Sequence, residues 1–250
     1  DVAYCGQPFD VLERPVQPEK VNYMGEGDYE PYVGYHPMQD FCGITDGVRG
    51  AAVAAGVLEY EVLPMRRTLA LTLIRATDRL LVGVLATGSK FRLPAAQLQQ
   101  KMSFKYSFIP HSGGYKNVLR DIDAARHPLI PVQKDFLEEQ SMPGYTAPEA
   151  IMPLSAGFLS LDGDAVMTSL RPSVSEEGYT SIRFFNPENE RGKVTLTVDS
   201  RYRLISADAV RIDEKQSEDR DIGISVKENV ITLCPEAKQI VTLKLKLTLK

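Results

Sequence analysis

Hydrophobic residues recur at every second position, or in short unbroken runs, along most of the 250 residues. In GVLEYEVL, Val57, Glu59, Glu61 and Leu63 fall on one face, with Leu58, Tyr60 and Val62 on the other. TLALTLIRAT is a Leu-rich strand with β-branched residues, and SFKYSFIPH sets Phe104, Tyr106 and Phe108 against Lys105 and Ser107. The theme returns in YTSIRFFNP, GKVTLTVDS, ADAVRID, NVITLCP and QIVTLKLKLTLK, each bounded by Gly, Pro, Asn or Asp. NPENERG and LDGD read as hairpin connections. One stretch has the helical period instead. GGYKNVLRDIDAARHPL places Val118, Leu119, Ile122 and Ala125 on one stripe and ends at Pro128, which predicts a short helix near residues 115–126. The chain is therefore predicted to be mainly β.

A break in composition falls between Lys134 and Leu154, where KDFLEEQSMPGYTAPEAIMPL carries three prolines and little periodicity. This predicts a β layer with its helix over residues 1–134, a linker over 135–153 and a small terminal β-sandwich of about seven strands over 154–250. The charge run RIDEKQSEDRD reads as a solvated hairpin or loop.

Composition narrows the function classes. At 43% hydrophobic and 25% charged residues the chain can build a real core, and a net charge of −4 gives no basic patch for nucleic acid. No apolar run approaches the ~18 residues of a membrane span. Cys5, Cys42 and Cys234 are odd in number and unpatterned, so they read as small buried hydrophobes in a reducing, cytoplasmic compartment. The chain opens on Asp1 rather than Met, directly into the strand-like VAYC, so a start further upstream is expected.

Motifs for self-sufficient chemistry are absent from the sequence. His36, His111 and His127 form no HxD, HxH or HExxH arrangement, and His36 and His111 read as packed loop residues. There is no GxSxG elbow, and Cys42 between Phe41 and Gly43 has no basic neighbour in sequence to activate it. Glu59 and Glu61 share a strand face and are candidate carboxylates. The plainer reading, and the favoured one, is the solvent face of an amphipathic strand.

Several stretches, in order, resemble the C-terminal region of family 38 glycoside hydrolases, the metal-dependent retaining α-mannosidases. GQPFDVLERPV is similar to the family's (F/Y)(D/E)xxxRP stretch. HPMQDFCGITDGVRGAAVAAGVLEYEV resembles its PxQxFxxx(S/T)DGxxG run followed by GLxEYE. LALTLIRATDRL looks like its LTLLRS strand, and PAAQLQQKMSFKYSFIPHSGGY like its AQxxGxxxFxYALxPH segment. SLRPSVSEEGYTSIRFFNPENERGKVTL is similar to the segment that opens the terminal sandwich. Ala76 and Thr77 stand where Ser-Val is common, and Gln100 or Lys101 takes the place of a Gly.

The resemblance implies part of a large, galactose-mutarotase-like supersandwich followed by a small terminal sandwich. It implies a parent enzyme that hydrolyses α-mannosidic bonds with retention. Zinc or another divalent metal and the catalytic groups would lie in an N-terminal domain outside these residues, so no catalytic or metal residue is expected here. The implied partners are that catalytic domain and a mannoside. A sandwich that begins partway through is expected to leave an apolar face for the rest of the polypeptide or for a second copy. Substrate contacts are expected from Asp46 and Gly47 in a turn and from a strand-borne Arg75, with Glu59, Tyr60 and Glu61 as a polar and aromatic wall. The plainer readings are a structural Asp-Gly turn and an Arg75 that only pairs with a carboxylate. The rival classes are an independent carbohydrate-binding sandwich and a structural or oligomerisation module.

Overall fold

The computed structural model describes residues 1–16, 34–63, 66–77, 79–82, 89–132, 155–216 and 222–250. The predicted linker over 135–153 lies wholly outside them. Antiparallel strands dominate, as the alternation predicts, and the chain divides into two compact units, Asp1–Pro128 and Leu129–Lys250.

The first unit is built on β1 (Val2–Gln7), β2 (Asp10–Pro15), β4 (Phe41–Thr45), β5 (Arg49–Ala55) and β10 (Tyr106–Ser112), ordered β10-β5-β4-β1-β2. The two strands that carry proline, Pro110 in β10 and Pro15 in β2, are the two edges, where a missing N–H breaks no ladder. Each face of this sheet has its own cover. Ala3, Cys5, Cys42 and Ala55 pack with Tyr60 and Val62 of a three-stranded sheet formed by β3 (Tyr35–Pro37), β6 (Glu59–Leu63) and β7 (Thr68–Leu71). From the opposite face Tyr4, Phe41, Ala52 and Ala54 pack with Tyr115, Val118 and Ile122, on and beside helix α1 (Leu119–Arg126). A two-stranded ribbon, β8 (Arg79–Val82) with β9 (Ser89–Arg92), completes this unit.

Several sequence readings shift here. The helical stripe runs through Tyr115, Val118, Leu119 and Ile122, while Ala125 is exposed. Leu58 does not share the buried face of Tyr60 and Val62 but is 75% exposed, because the alternation starts only at Glu59, where the ladder begins. Arg75 is not on a strand. β7 ends at Leu71, and Thr72 N–H to the Glu59 carbonyl (3.1 Å) is the last bond to β6 among the described residues, where the apolar run beyond it has no strand to pair with. His36 and His111 lie on β3 and β10 rather than in loops. Tyr106 and Phe108, 65% and 64% exposed, leave one end of the β3–β6–β7 side of the sheet bare.

The second unit is a sandwich of two four-stranded sheets. One is β11 (Leu159–Gly163), β14 (Val194–Val198), β17 (Val230–Leu233) and β16 (Ser225–Lys227). The other is β12 (Val166–Pro172), β13 (Tyr179–Phe185), β18 (Ile240–Leu249) and β15 (Tyr202–Val210). Inward residues at alternate positions, among them Ile182, Phe184, Leu196, Ile231, Leu243 and Leu245, form the core between them. LDGD and NPENERG are therefore not hairpins: each carries the chain from one sheet to the other. In the second, the Asn186 amide is fully buried, donating to the carbonyls of Glu190 and Glu236 and accepting from Glu188 N–H.

The charge run is not wholly solvated either. Glu214 is 1% exposed. Its Oε2 accepts from Ser173 Oγ (2.6 Å), Val174 N–H (2.8 Å) and Ser175 N–H (3.2 Å), and its Oε1 faces Arg171 Nη2 at 2.7 Å. Burial alone would raise its pKa, but these hydrogen bonds outweigh burial and hold the carboxyl at about 2. With the unfolded value near ~4.3, the group stabilises the fold above that pH, and the contribution is lost as pH falls toward the folded value. Glu214→Gln is expected to cost roughly 1–3 kcal/mol at neutral pH in thermal unfolding. The gap between variant and parent should close between about pH 4.5 and pH 2; a gap that persists through that window would contradict this assignment.

Candidate functional site

Three elements of the first unit converge on a cleft of about 530 Å³. The turn from β5 into β6 supplies Gly56 to Glu59, the segment after β7 supplies Thr72, Leu73 and Arg75, and the approach to β10 supplies Ser103, Phe104 and Lys105. Arg126, the last residue of α1, closes it. Arg75 Nη1 meets Glu59 Oε2 at 3.3 Å, so two of the predicted residues are joined in one place. Arg75 is three-quarters exposed, and an ion pair in that setting stabilises little, leaving its remaining donors available to a ligand. Arg126 is held from the other side by Asp40, whose Oδ1 lies 2.5 Å from Nη2. The Arg126 Nε is buried and has no hydrogen-bond partner among the described residues.

The remaining predicted residues lie elsewhere. Asp46 and Arg49 close the two-residue Gly47–Val48 loop between β4 and β5, with Gly47 at φ +86° in the first central position, where such hairpins require a positive φ. Asp46 Oδ1 accepts from Val48 N–H (2.8 Å) and Arg49 N–H (2.7 Å), and these bonds hold its carboxyl below the usual range. Thr45 Oγ1 ties the same turn to the Gly113 carbonyl at 2.7 Å. The turn and the cleft therefore sit at opposite ends of β5, roughly 20 Å apart for a strand of this length. Tyr60 is fully buried on the face of β6 opposite Glu59 and Glu61, where its hydroxyl accepts from Arg14 Nη1 at 3.2 Å. Glu61 is partly buried, opposite Tyr35 and Ala70 of the neighbouring strands.

Sequence reasoning missed the cleft partners Phe104, Lys105 and Arg126. It also missed a pair between buried Tyr4 and half-buried His111, Oη to Nε2 at 2.5 Å. Burial, then the nearby Cys42, pushes the Tyr4 phenol upward, so the hydroxyl stays protonated beside the imidazole. Two glycines make room for these rings. A Cβ at Gly43 would run into the Tyr4 ring, and one at Gly50 into the His111 imidazole. Both were visible only as turn-like glycines in the sequence, since the fit depends on the registers Tyr4↔Gly43 and His111↔Gly50.

Among the described residues no group of three or more His, Cys, Asp or Glu side chains is placed to hold a metal ion. A larger cavity of about 960 Å³ opens in the second unit, but its central amide is committed to the fold. Asn229 Nδ2 donates to the carbonyls of Val198, Asp199 and Tyr202, and its Oδ1 accepts from Leu204 N–H.

No family model matches the sequence, and no curated protein matches it. Among solved structures, the chain is similar to an alpha-mannosidase from Enterococcus faecalis V583, with a TM-score of 0.65 and 19% identity over 97% of this chain. It is likewise similar to a protein in the glycosyl hydrolase family 38 from Enterococcus faecalis, with a TM-score of 0.66 and 18% identity over 97% of this chain. At this identity the likeness is one of fold. The chain spans only 24% of the length of each of these proteins.

Gly43→Ala is expected to destabilise the first unit by about 1–3 kcal/mol through overpacking against Tyr4. Trimming the ring in a Tyr4→Leu/Gly43→Ala double variant should recover part of that loss in denaturant unfolding. Strictly additive losses would show that the ring and the glycine do not meet.

Proposed function

We propose that this chain is the C-terminal β region of a family 38 α-mannosidase and that its cleft at Glu59, Arg75 and Arg126 forms one wall of the sugar pocket. The observation that carries the reading is the fold likeness to such enzymes over 97% of the chain. The sequence stretches in the family's order point the same way. In this reading the chain does no bond-breaking itself. The parent reaction is hydrolysis of an α-mannosidic bond with retention. Its carboxylates and its divalent metal lie in the N-terminal catalytic domain of the same polypeptide, the chain's principal partner.

The cleft suits that role chemically. Sugar hydroxyls are both donors and acceptors. Glu59 offers acceptor oxygens, while Arg75 and the partly exposed Arg126 guanidinium offer donors in fixed directions. Phe104 supplies apolar surface for the less polar face of a pyranose. Asp46 takes part only where the assembled polypeptide brings its turn to the pocket, since within this unit its Oδ1 is already occupied by two backbone N–H groups.

A second reading has one observation in its favour. Tyr106 and Phe108 stand exposed, two residues apart on one face of β10, an arrangement that suits stacking of a sugar in an independent carbohydrate-binding sandwich.

The test is release of p-nitrophenol from its α-mannoside by the polypeptide that carries this chain, with and without chelator. The expected result is chelator-sensitive activity, with kcat/KM falling roughly tenfold in Arg75→Ala and less in Asp46→Ala. Full activity in Arg75→Ala would reduce the cleft to architecture. No mannosidase activity, with sugar binding lost in Tyr106→Ala, would favour the second reading.

A further inference from the structure

Cys5 and Cys42 were legible in the sequence only as two unrelated small hydrophobes. The sheet places them directly opposite each other, on β1 and β4, with both side chains in the core facing the three-stranded sheet. Both are fully buried free thiols.

Hydrogen bonding outside the ladder fixes what kind of pair this is. Val16 N–H donates to the Asp1 carbonyl, so in the register of β1 with β2 the odd-numbered residues of β1 direct their backbone groups toward β2. The even-numbered residues then direct theirs toward β4, as the Gly6 carbonyl does in accepting from Gln39 N–H. Cys5 and Cys42 therefore form a non-hydrogen-bonded antiparallel pair, the kind whose Cα atoms approach to roughly 4.5 Å. That separation lies at the short end of the range a disulfide bridges.

The surroundings of the two sulfurs differ. Arg14 Nη1 donates to Cys5 Sγ at 3.3 Å, and Gln7 Nε2 lies 3.6 Å from the same atom. Both donors belong to partly exposed residues, and Arg14 places a cation beside that sulfur. Cys42 has no such donor among the described residues; burial first, then Cys5 itself, pushes its thiol up to about 12.

We propose that Cys5 and Cys42 form a peroxide-oxidisable dithiol, in which Cys5 is the reacting thiol and Cys42 the resolving one. The oxidant is hydrogen peroxide, small enough to reach a sulfur that lies beneath Gln7 and Arg14. The Cys5 thiolate attacks one peroxide oxygen, the O–O bond breaks, and with one proton taken up the products are the Cys5 sulfenic acid and water. The Cys42 sulfur then attacks the sulfenic sulfur. The S–O bond breaks, the Cys42 proton leaves with the hydroxyl as a second water, and the S–S bond joins β1 to β4. Thiol reductants reopen such a bridge by thiol–disulfide exchange.

The test is peroxide treatment of the chain, followed by thiol counting and peptide mapping without reductant. Of the three cysteines, Cys5 and Cys42 are expected to disappear together in a linked peptide lighter by about 2 Da, restored by dithiothreitol. Cys42→Ser should stop at a Cys5 sulfenic acid that dimedone traps. Arg14→Leu should slow oxidation of Cys5 on the order of tenfold, with Arg14→Lys restoring part of the rate if the fold is intact. Oxidation of Cys234 while Cys5 and Cys42 stay reduced would overturn the proposal. So would linkage of either cysteine to Cys234, or a Cys5 oxidation rate unchanged in Arg14→Leu.

Discussion

Everything in the first unit depends on a sheet that must bury both faces at once. Side chains alternate across β1, β4 and β5, so neighbouring residues have different partners: Ala3 and Cys5 meet the three-stranded sheet, while Tyr4 meets the helical side. A shift of one residue in register would send every one of these groups to the wrong layer. Gly43 and Gly50 tighten the constraint, because the rings of Tyr4 and His111 occupy the space their side chains would need. Such a sheet holds its surrounding elements in fixed places.

The cleft follows from that fixity. β6 must return across one face directly after β5, and α1 must cover the other. At the Ala55 end of β5 the two covering layers both approach the sheet rim, which is how Glu59 and Arg126, one from each layer, come to line the same cleft. Asp40 anchors Arg126 at this rim, and the Asp40 carbonyl also closes the ladder by accepting from Ala55 N–H. The Asp46 turn, at the far end of β5, is shaped instead by its own backbone and by Thr45.

Much of this was legible in the sequence, and the failures have physical causes. Period-two alternation marked the strands, and the Val118–Ile122 stripe marked the helix, because burial on one face leaves that trace. The pairing of Arg75 with a carboxylate was among the readings, and Glu59 is that carboxylate. Turn residues, however, look alike whether a chain reverses within a sheet or crosses between sheets, so LDGD and NPENERG were misread. An apolar run does not disclose whether a partner strand exists, which put Arg75 on a strand it does not occupy. Leu58 looked like its alternating neighbours because the start of a ladder leaves no mark in composition. The burial of Glu214 and the pairing of Cys5 with Cys42 depend on contacts across 40 and 37 residues of chain, beyond any local pattern.

The central claim is that the cleft at Glu59, Arg75 and Arg126 faces the sugar. Hydrogen–deuterium exchange on the polypeptide that carries this chain, with and without a mannose-like inhibitor, tests it most directly. The account predicts added protection in the turn and segments that line the cleft, residues 56–59, 72–75 and 103–105, with the second unit unchanged. Protection centred on Tyr106 and Phe108, or confined to residues outside this chain, would contradict it.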